Sequence, residues 1–560
     1  MTGSHEVRGS IPLGSTIRPR PSRLLMPDST VATALILYDT KSAKKRPLET
    51  LVPRACSIYN CGPTVYDMSH VGHARAALVP DILVRFLRYR SYRVTYVRNI
   101  TDLDDKIIDR ARTLHLSAEE IAERYTKEYH RDLSDLNMLS PDIEPRVTRH
   151  MEQILRSIEA LLDKGLAYEV DGDVYFRVDR FEAYGGLSGR RPEDMQAGAR
   201  VEVDSRKENP FDFALWKSAK EGEPAWESPW GAGRPGWHIE CSVMSTEHLG
   251  ETFDIHAGGR DLIFPHHENE IAQSQGIHGH DTYARHWMHN GFVNFAGEKM
   301  SKSLGNFFTI REVTALYHPE VLRAFLMSVH YRSGINFDVE VHCSKCDAVM
   351  PNEEQQAGRC EACGHETSAA ELRSRVRFPG LEEADERLAY VYETLRAAKD
   401  FLQTAKAPAA SRKGADAPVT EAVGGMLGAF EKAMCDDLNT AAATAALSEP
   451  LSEVNRLLAS GKGVDKALRY ATIVRFVGDM KVVSDVLGLY GRDPAEFLLE
   501  RRQLKARRIG LDVERVQDLL EARAQARNDK DWARADQVRD ELSALGVNVR
   551  DGADGSEWSL

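Results

Sequence analysis

CGPTVYDMSHVGHAR, residues 61–75, leads from a strand into a helix. The strand is predicted to end near Asn60, and the helix to begin beside His70, Gly72 and His73. The start of a helix offers free backbone N–H groups and the positive end of the helix dipole. Gly72 lets a phosphate approach the backbone, and the imidazoles can donate to its oxygens. The stretch suits a nucleotide, although two histidines at this spacing are weak evidence alone.

Strands are predicted on both sides of this helix, at 31–39 and at 93–98. Between them, the residues from Val71 to Tyr89 place apolar side chains at helical spacing. A strand, a helix and a strand in this order form a parallel crossover unit. The first part of the chain is therefore predicted to be an α/β domain.

Length and composition place the chain among multidomain globular proteins. At 560 residues it is too long for one hydrophobic core, and about three or four domains are expected. Hydrophobic residues make up 42% and charged residues 28%. With no apolar run of ~18 residues, the chain is predicted to be neither disordered nor membrane-spanning.

The net charge of -12 does not exclude a nucleic-acid partner, because such binding needs only a local basic surface. Residues 501–510, RRQLKARRIG, carry five basic side chains and no acidic one. They predict either a stripe that faces phosphates or a solvated basic segment between domains.

Four of the eight cysteines form two C-x-x-C pairs, HCSKC at 342–346 and CEAC at 360–363. The 13 residues between the pairs are close to the spacing of a four-thiolate zinc site. The predicted ligands of a structural zinc ion are Cys343, Cys346, Cys360 and Cys363. Such an ion would stabilise a module of about 25 residues that is too small for a core of its own.

A second set of possible metal ligands is spread over YNCGPTVYD, PGWHIECSVMS and FPHHENEIAQS. His266 and Glu270 are four residues apart, so on a helix they face the same way. Cys61 and Cys241 can add two thiolates, and this combination of donors suits zinc. Each residue alone also fits a structural role, as a buried thiol or a hydrogen-bonded histidine.

A further phosphate-binding candidate is KMSKS at 299–303. Lys299 and Lys302, on a short loop with two serine hydroxyls, can close over a triphosphate and neutralise charge as pyrophosphate leaves. HVGH at 70–73 and KMSKS together resemble the two signatures of class I aminoacyl-tRNA synthetases.

This resemblance implies a Rossmann-like catalytic domain that uses ATP, with Mg²⁺, to form an aminoacyl-adenylate and then charges tRNA. It implies that His70, Gly72 and His73 bind ATP, with both histidines in contact with its phosphates. It also implies that Lys302 binds ATP and stabilises the transition state, with Lys299 as a further catalytic residue.

The metal-ligand segments, with NITDLDDKI at 99–107 and NPFDFALWK at 209–217, resemble the cysteinyl-tRNA synthetase branch. That resemblance implies one active-site zinc ion which takes the substrate thiolate as a further ligand. Because zinc prefers thiolate sulfur to an alcohol oxygen, serine would be rejected without an editing domain. The implied zinc ligands are Cys61, Cys241, His266 and Glu270.

The same resemblance gives roles to three more positions. Trp237 is expected to close against bound cysteine, and Thr101 to hold the backbone end of that substrate. In HAGGRD at 256–261, Ala257 stands where the family usually has glycine. Its methyl group is expected to lie near nucleotide or substrate and to change affinity modestly.

The resemblance covers nearly all of the chain from about residue 33 to residue 560 except the two C-x-x-C pairs. The expected divisions are a disordered N-terminal extension (1–32), a catalytic domain in two halves (33–145 and 225–318), a connective insertion between them (146–224), a linker (319–340), a zinc-ribbon insertion (341–367), a helical tRNA-binding bundle (368–500) and a small anticodon-binding domain (501–560). Residues 501–560 carry 12 basic and 12 acidic side chains, so this end repels phosphate less than the rest.

The implied function is ligation of L-cysteine to tRNA(Cys). A cysteine ligase of mycothiol synthesis shares the catalytic domain and zinc site but lacks the full tRNA-binding end, so residues 500–560 speak against it. Intact HVGH, KMSKS and metal ligands speak against a non-catalytic RNA-binding paralogue. A cytoplasmic monomer without a membrane partner is expected, and no basic cluster within the ribbon segment supports a contact with tRNA.

Overall fold

The computed structural model describes residues 33–190, 205–279, 281–295, 298–299, 308–351, 357–368, 375–408, 417–460, 463–552 and 555–560. The extension predicted at 1–32 and the predicted catalytic Lys302 lie outside these residues, and for Lys299 only the backbone is described. None of the described helices combines the length and the apolar character that a membrane span requires.

The first α/β segment contains β1 (Ile36–Asp39), β2 (Lys44–Pro47), β3 (Ala55–Asn60), α1 (Val71–Tyr89), β4 (Arg93–Arg98), α2 (Asp105–Leu114) and α3 (Ala118–Asp135). The parallel crossover unit consists of β3, α1 and β4. β1 instead forms an antiparallel hairpin with β2, so the prediction that 31–39 begins the crossover unit is wrong. The reason is local, because the chain turns back at Ala43, which has a φ of 53°, before β3 begins.

The next segment contains α4 (Met151–Asp163), β5 (Ala167–Val170), β6 (Asp173–Phe176), β7 (Phe213–Ser218), β8 (Gly233–Pro235), α5 (Trp237–Leu249), β9 (Phe253–Gly259), α6 (Glu268–His278), β10 (Ala284–Asn290), β11 (Val293–Phe295) and β12 (Glu298–Lys299). The central parallel sheet has the order β10-β9-β3-β4. A separate antiparallel sheet has the order β5-β6-β7-β8. It extends beyond the insertion boundary expected at residue 224, because β8 pairs with β7.

The remaining elements are α7 (Ile310–Thr314), α8 (Pro319–Leu326), β13 (Ile335–Asn336), β14 (Glu340–Val341), β15 (Val376–Arg377), α9 (Pro379–Thr404), α10 (Glu421–Cys435), α11 (Thr440–Ala445), α12 (Ser448–Ala459), α13 (Lys466–Leu487), α14 (Pro494–Ile509), α15 (Val513–Asn528), α16 (Trp532–Ala544), β16 (Asn548–Gly552) and β17 (Gly555–Ser559). The helical stretch packs mainly through α9, which contacts α8, α12, α13 and α14. At the C-terminal end, α15 packs on α16, and β16 pairs with β17.

The central sheet separates two hydrophobic cores. Side chains alternate between the two faces of a strand, so Ile58 of β3 belongs to one core and its neighbour Tyr59 to the other. The first core joins α1 to α8 and to the helical stretch, and the second joins the sheet to the insertion, α5 and α6. Both faces of the central sheet are therefore covered by packed side chains.

The basic segment at 501–510 lies on α14, and four of its side chains have partners within the protein. Arg501 donates to Asp385 over 2.8 Å, Lys505 to Glu386 over 2.6 Å and Arg508 to Glu382 over 2.9 Å. Arg502 donates to the carbonyl oxygen of Trp558 and lies over its ring. For these four side chains, neither a phosphate-facing stripe nor a solvated linker is correct, because they attach α14 to α9 and to β17.

Arg323 on α8 joins three parts of the chain. Its side chain is fully buried and pairs with Asp81 of α1. It also donates to the carbonyl oxygen of Leu487, at the end of α13, over 2.8 Å, and to those of Leu136 and Asn137 over 3.1 and 3.2 Å. The helix that begins at HVGH is thereby fixed to the helical stretch.

Arg323→Met keeps much of the aliphatic volume but leaves the Asp81 carboxylate and three carbonyl oxygens without this donor. We expect the free energy of unfolding, measured by urea denaturation, to fall by about 3 kcal/mol or more. Arg539→Ala is the control, because its pair with Asp536 is exposed and should contribute less than about 0.5 kcal/mol. Equal urea midpoints for the two variants would contradict the role of Arg323.

Candidate active site and metal-ligand cluster

The HVGH stretch forms the capped N-terminus of α1. The Nδ1 atom of His70 accepts a hydrogen bond from the backbone N–H of Gly72 over 3.0 Å. The Nδ1 atom of His73 accepts one from the backbone N–H of His70 over 3.1 Å. The two rings stack with their centroids 3.8 Å apart. Because each Nδ1 atom accepts a hydrogen bond, the ring proton of each histidine is on Nε2, and Nε2–H is the donor of the ring.

A cavity of about 500 Å³ connects this helix start to the ends of the central strands. It is lined by Gly72 and His73 of α1, by Asn60 and Cys61 at the end of β3, and by Asn290 at the end of β10. Ligands of open parallel sheets bind beyond the carboxyl ends of the strands. The cavity therefore has the position expected of an active site, with the start of α1 and the Cys61 thiol in the same space.

Gly62 sets the path of the chain between the thiol and the helix. Its backbone N–H donates to the side-chain oxygen of Asn99 over 2.8 Å. A Cβ atom at this position would lie 1.6 Å from the backbone oxygen of Asn99, which no side chain can tolerate. The preceding N–H, that of Cys61, donates to the carbonyl oxygen of Ala257 on β9 over 3.2 Å. The thiol is thus positioned by two neighbouring strands.

The four ligands predicted for the active-site zinc lie together. Cys61, Cys241, His266 and Glu270 each offer a ligand atom within 4.8 Å of the others. The two Sγ atoms are 3.7 Å apart, and Cys61 Sγ lies 3.6 Å from Glu270 Oε1. Two thiolates on a tetrahedral zinc ion, each about 2.3 Å from it, would be about 3.8 Å apart. The spacing and the donor types therefore fit zinc.

Most of the charge in this cluster is balanced by groups that are themselves buried, and Cys61 is the ligand that reaches the cavity. Burial opposes ionisation of Glu270, but His256 and His266 hold the pKa of its carboxyl well below the usual range. Burial likewise opposes protonation of His266, yet the Glu270 carboxylate raises its pKa to about 10. The hydrogen bond from Cys61 lowers the pKa of the Cys241 thiol to about 6, against the effect of burial. Ionised carboxylate and thiolate in a buried pocket favour a bound cation.

Sequence analysis missed two histidines at the same site. Cys61, His256, His267 and Glu270 form an overlapping group whose ligand atoms also lie within 4.8 Å of one another. His256 Nε2 is 2.9 Å from Glu270 Oε2, and His267 Nε2 is 3.4 Å from Cys61 Sγ. Burial lowers the pKa of His267 well below its ordinary value, so this imidazole is neutral. The paired histidines in FPHHENE were the available signal, but spacing alone did not show which one faces the thiols.

Trp237 and Thr101 occupy different positions relative to the cluster. The Trp237 indole stacks on His266, with centroids 4.3 Å apart, and is 41% exposed at the cavity. Thr101 is buried, and its hydroxyl accepts a hydrogen bond from the amide of Asn99 over 3.3 Å. A substrate contact for either residue stays a prediction.

The expectation that the Ala257 methyl group lies near nucleotide or substrate is wrong. Ala257 is 3% exposed and belongs to the core that includes α1. Side chains alternate along a strand, so the ring of the preceding His256 takes the metal-ligand face of β9 and the methyl group takes the other. The contribution of Ala257 to the site is its backbone oxygen, which holds Cys61.

The two C-x-x-C pairs form a second cluster. Cys343 Sγ lies 3.6 Å from Cys363 Sγ, Cys346 Sγ lies 3.7 Å from Cys360 Sγ, and all four are within 4.8 Å of one another. The backbone N–H of Cys346, and after it that of Lys345, lowers the pKa of the Cys343 thiol to about 6, against burial. These separations match the value of about 3.8 Å expected for two thiolates on one zinc ion.

Each pair lies in a tight turn closed by backbone hydrogen bonds. Asp347 N–H donates to the carbonyl oxygen of Cys343 over 3.0 Å, and Gly364 N–H to that of Cys360 over 2.8 Å. Asp347 has a φ of 60° and Gly364 a φ of 69°, in the left-handed region that lets the turn close. The small core around the thiols includes Met350. Two such turns facing each other are what a four-thiolate metal site requires.

Comparison with known proteins identifies the family. The sequence profile described as "tRNA synthetases class I (C) catalytic domain" matches residues 47–346. The profile of the "DALR domain" matches 429–490, and that of the "Cysteinyl-tRNA ligase anticodon binding domain" matches 513–558. A cysteine–tRNA ligase from Trichlorobacter lovleyi is 45% identical over 527 residues, covering 94% of this chain and all of that one. The chain belongs to the cysteine–tRNA ligase family.

Further comparisons agree with this family and with its fold. A cysteine–tRNA ligase from Desulfotalea psychrophila is 42% identical over 525 residues, covering 94% of this chain and 98% of that one. The methionyl-tRNA synthetase of Mycobacterium tuberculosis, solved in complex with methionyl-adenylate, has a TM-score of 0.53. That structure is 15% identical, covering 79% of this chain and 93% of that one, so it shows the fold alone.

The cysteine–tRNA ligase family assignment confirms the resemblance and the class I α/β fold that the sequence predicted. The profile match at 513–558 disfavours the amino-sugar ligase, and the match at 47–346 disfavours the non-catalytic paralogue. The roles predicted for His70, His73, Lys299 and Lys302, and for the substrate and metal contacts, stay predictions.

Gly62→Ala should displace Cys61 or the backbone of Asn99, because its Cβ atom has no space. A displacement of about 1 Å at a reacting centre can cost on the order of 10²-fold in rate. We therefore expect cysteine-dependent ATP–pyrophosphate exchange to fall by about that factor, together with the zinc content. Gly428→Ala, on the exposed side of α10 with open space around it, should keep both. A fully active Gly62→Ala enzyme would show that this close approach does not position the thiol.

Proposed function

We propose that the chain activates L-cysteine with ATP and transfers it to tRNA(Cys). The observation that carries this proposal is that one cavity contains the capped start of α1 and the Cys61 thiol of the metal-ligand cluster. Cysteine activation requires one part of the cavity to bind the phosphates of ATP and another part to recognise the substrate thiol. The relatives that span this chain are named cysteine–tRNA ligases, which supports the same reaction.

The phosphates of ATP would bind at the start of α1. Here the Nε2–H groups of His70 and His73 would donate to phosphate oxygens, and Gly72 would let the phosphate approach the backbone. The positive end of the helix dipole adds to this attraction. Lys299 and Lys302 would neutralise the charge that develops as pyrophosphate leaves, and Mg²⁺ would accompany ATP.

Cys61, Cys241, His266 and Glu270 would hold a zinc ion at the opposite end of the cavity. When bound, zinc supplies a Lewis acid that prefers a thiolate sulfur to an alcohol oxygen. His256 and Tyr283 hold Glu270 in place through contacts of 2.9 and 3.0 Å with its Oε2 atom. Fixed ligands of this kind orient the site and favour cysteine over serine.

Other side chains would close and align the cysteine end. Trp237, which stacks on His266 and lines the cavity, would cover bound cysteine and exclude water. Thr101 would hold the backbone end of the substrate. Its own position is set by a hydrogen bond from its backbone N–H to the carbonyl oxygen of Pro63. The carboxylate of cysteine would then attack the α-phosphate of ATP, and the acyl group would pass to the terminal adenosine of tRNA.

Cys343, Cys346, Cys360 and Cys363 would hold a second, structural zinc ion. Four thiolates close the coordination sphere, and the core beneath them is too small to fold alone. The proposal also assigns tRNA binding to residues 368–500 and anticodon binding to residues 501–560. It further includes a monomeric state and a cytoplasmic location.

Two single substitutions separate the two zinc ions. Cys241→Ser should lower the zinc content from two ions per chain to one and abolish cysteine activation, because a thiolate ligand is lost. Cys346→Ser is the matched control, since it should also lose one zinc ion but keep cysteine-dependent ATP–pyrophosphate exchange. Metal analysis and the exchange assay measure both effects.

Charging of a tRNA(Cys) transcript tests the complete reaction with the same two variants. The unsubstituted enzyme should charge tRNA with cysteine and not with serine, and should not join cysteine to an amino-sugar acceptor. A Cys241→Ser enzyme that is fully active without its zinc ion would refute the role of the cluster. Amino-sugar ligation without tRNA charging would refute the function.

A further inference from the structure

A polar groove of about 820 Å³ separates the zinc ribbon from α14. Lys345, between the first two thiols of the ribbon, lines one side together with Arg375 and Arg377 at β15. Lys505 and Arg508 of α14 line the other side. These five cations come from three separate segments of the sequence, and the ribbon segment has no basic cluster of its own. The fold brings them to one cavity.

Most of the groove's charges are already matched. Its three carboxylates are those of Glu340, Asp347 and Glu382. Asp347 pairs with Arg377 over 2.6 Å, and Glu382 pairs with Arg508 over 2.9 Å. Lys505 pairs with Glu386 over 2.6 Å. These pairs fix the walls of the groove. The third carboxylate, that of Glu340, lies 3.2 Å from Nε2 of His342 and offsets one more positive charge.

Lys345 and Arg375 are the cations behind the surplus positive charge, which is one unit when Glu340 and Glu386 are both counted. Lys345 is exposed and Arg375 is half-buried, and neither pairs with a carboxylate of the residues that the structure describes. The ribbon positions the backbone of Lys345 and the guanidinium of Arg375. The backbone N–H of Lys345 donates to Cys343 Sγ over 3.5 Å, and Arg375 donates to the carbonyl oxygen of Ser344 over 3.5 Å.

We propose that this groove binds backbone phosphates of the tRNA, at a contact separate from the catalytic cavity and from the C-terminal domain. The proposal rests on the proposed function, which makes tRNA the substrate. A chain with a net charge of -12 repels a polyanion over most of its surface, so a local excess of cations decides where it binds. α14 leads directly into 513–558, the part matched by the anticodon-binding profile.

The lining favours RNA over an acidic protein partner. Of the described lining residues, only Pro379 and Ile509 are apolar. Protein interfaces depend on buried apolar or aromatic anchors at their centre, whereas phosphate contacts need only cations and polar groups. The guanidinium of Arg375 and the ammonium of Lys345 are both suited to phosphate oxygens.

The test uses the full-length enzyme with both surplus cations reversed, Lys345→Glu/Arg375→Glu. Affinity for a tRNA(Cys) transcript is measured at several salt concentrations, beside cysteine-dependent ATP–pyrophosphate exchange without tRNA. We expect tRNA binding to weaken by roughly tenfold at low salt, and the slope of log K against log salt to become less steep by about 1–2. Exchange should be unchanged, and the zinc content should stay at two ions.

Lys44→Glu/Lys220→Glu is the matched control, because it makes the same change in net charge at two exposed lysines outside the groove. Equal tRNA affinities and equal salt slopes in the two double variants would overturn the proposal. A second result would also overturn the proposal: a polyglutamate peptide binds the parent enzyme but not the groove variant, and the two bind tRNA equally well. The partner of the groove would then be an acidic protein.

Single Lys345→Gln and Arg375→Gln variants keep the proposal testable if the double variant does not fold. Weaker tRNA binding with both zinc ions retained supports the groove, and parental tRNA affinity with both ions retained overturns it. If the parent itself shows no pyrophosphate exchange, the proposed function fails, and the comparison of tRNA binding between variants still decides the groove.

Discussion

The carboxylate of Glu270 is fully buried, and its charge can persist there only because other groups surround it. His256 and Tyr283 contact one of its oxygens, and His266 lies 3.1 Å from the other. Two thiols complete the same space. A buried set of this kind is costly unless it holds a cation, so we expect the packing of α5, α6, β3 and β9 around it to depend on the proposed zinc ion.

The proposed ion would link structure to function, because Cys61 of the cluster lines the same cavity as the start of α1. β3 ends in Cys61, and one short loop later α1 begins with His70 and His73 as its caps. The path between them is possible because residue 62 is a glycine. At the other end of α1, Asp81 and Arg323 attach this helix to the helical stretch, so the site is built on fixed elements.

Much of this architecture could be predicted from local sequence. The bounds of α1 and β4 agree with the structure, and the four proposed zinc ligands lie together as expected. The hairpin of β1 and β2 could not be predicted, because strand pairing is a choice between partners that a single pattern does not specify. The role of His256 and His267 and the composition of the ribbon groove depend on residues that only the fold brings together. The role of the KMSKS segment stays a prediction.

Zinc-edge X-ray absorption of the Cys346→Ser enzyme, which should keep only the active-site ion, tests the central claim most directly. Without substrate, the account predicts two sulfur ligands at about 2.3 Å and two nitrogen or oxygen ligands at about 2.0–2.2 Å. Addition of cysteine should raise the number of sulfur ligands to three, and serine should leave it at two. An unchanged spectrum on addition of cysteine would show that the ion does not read the substrate thiol.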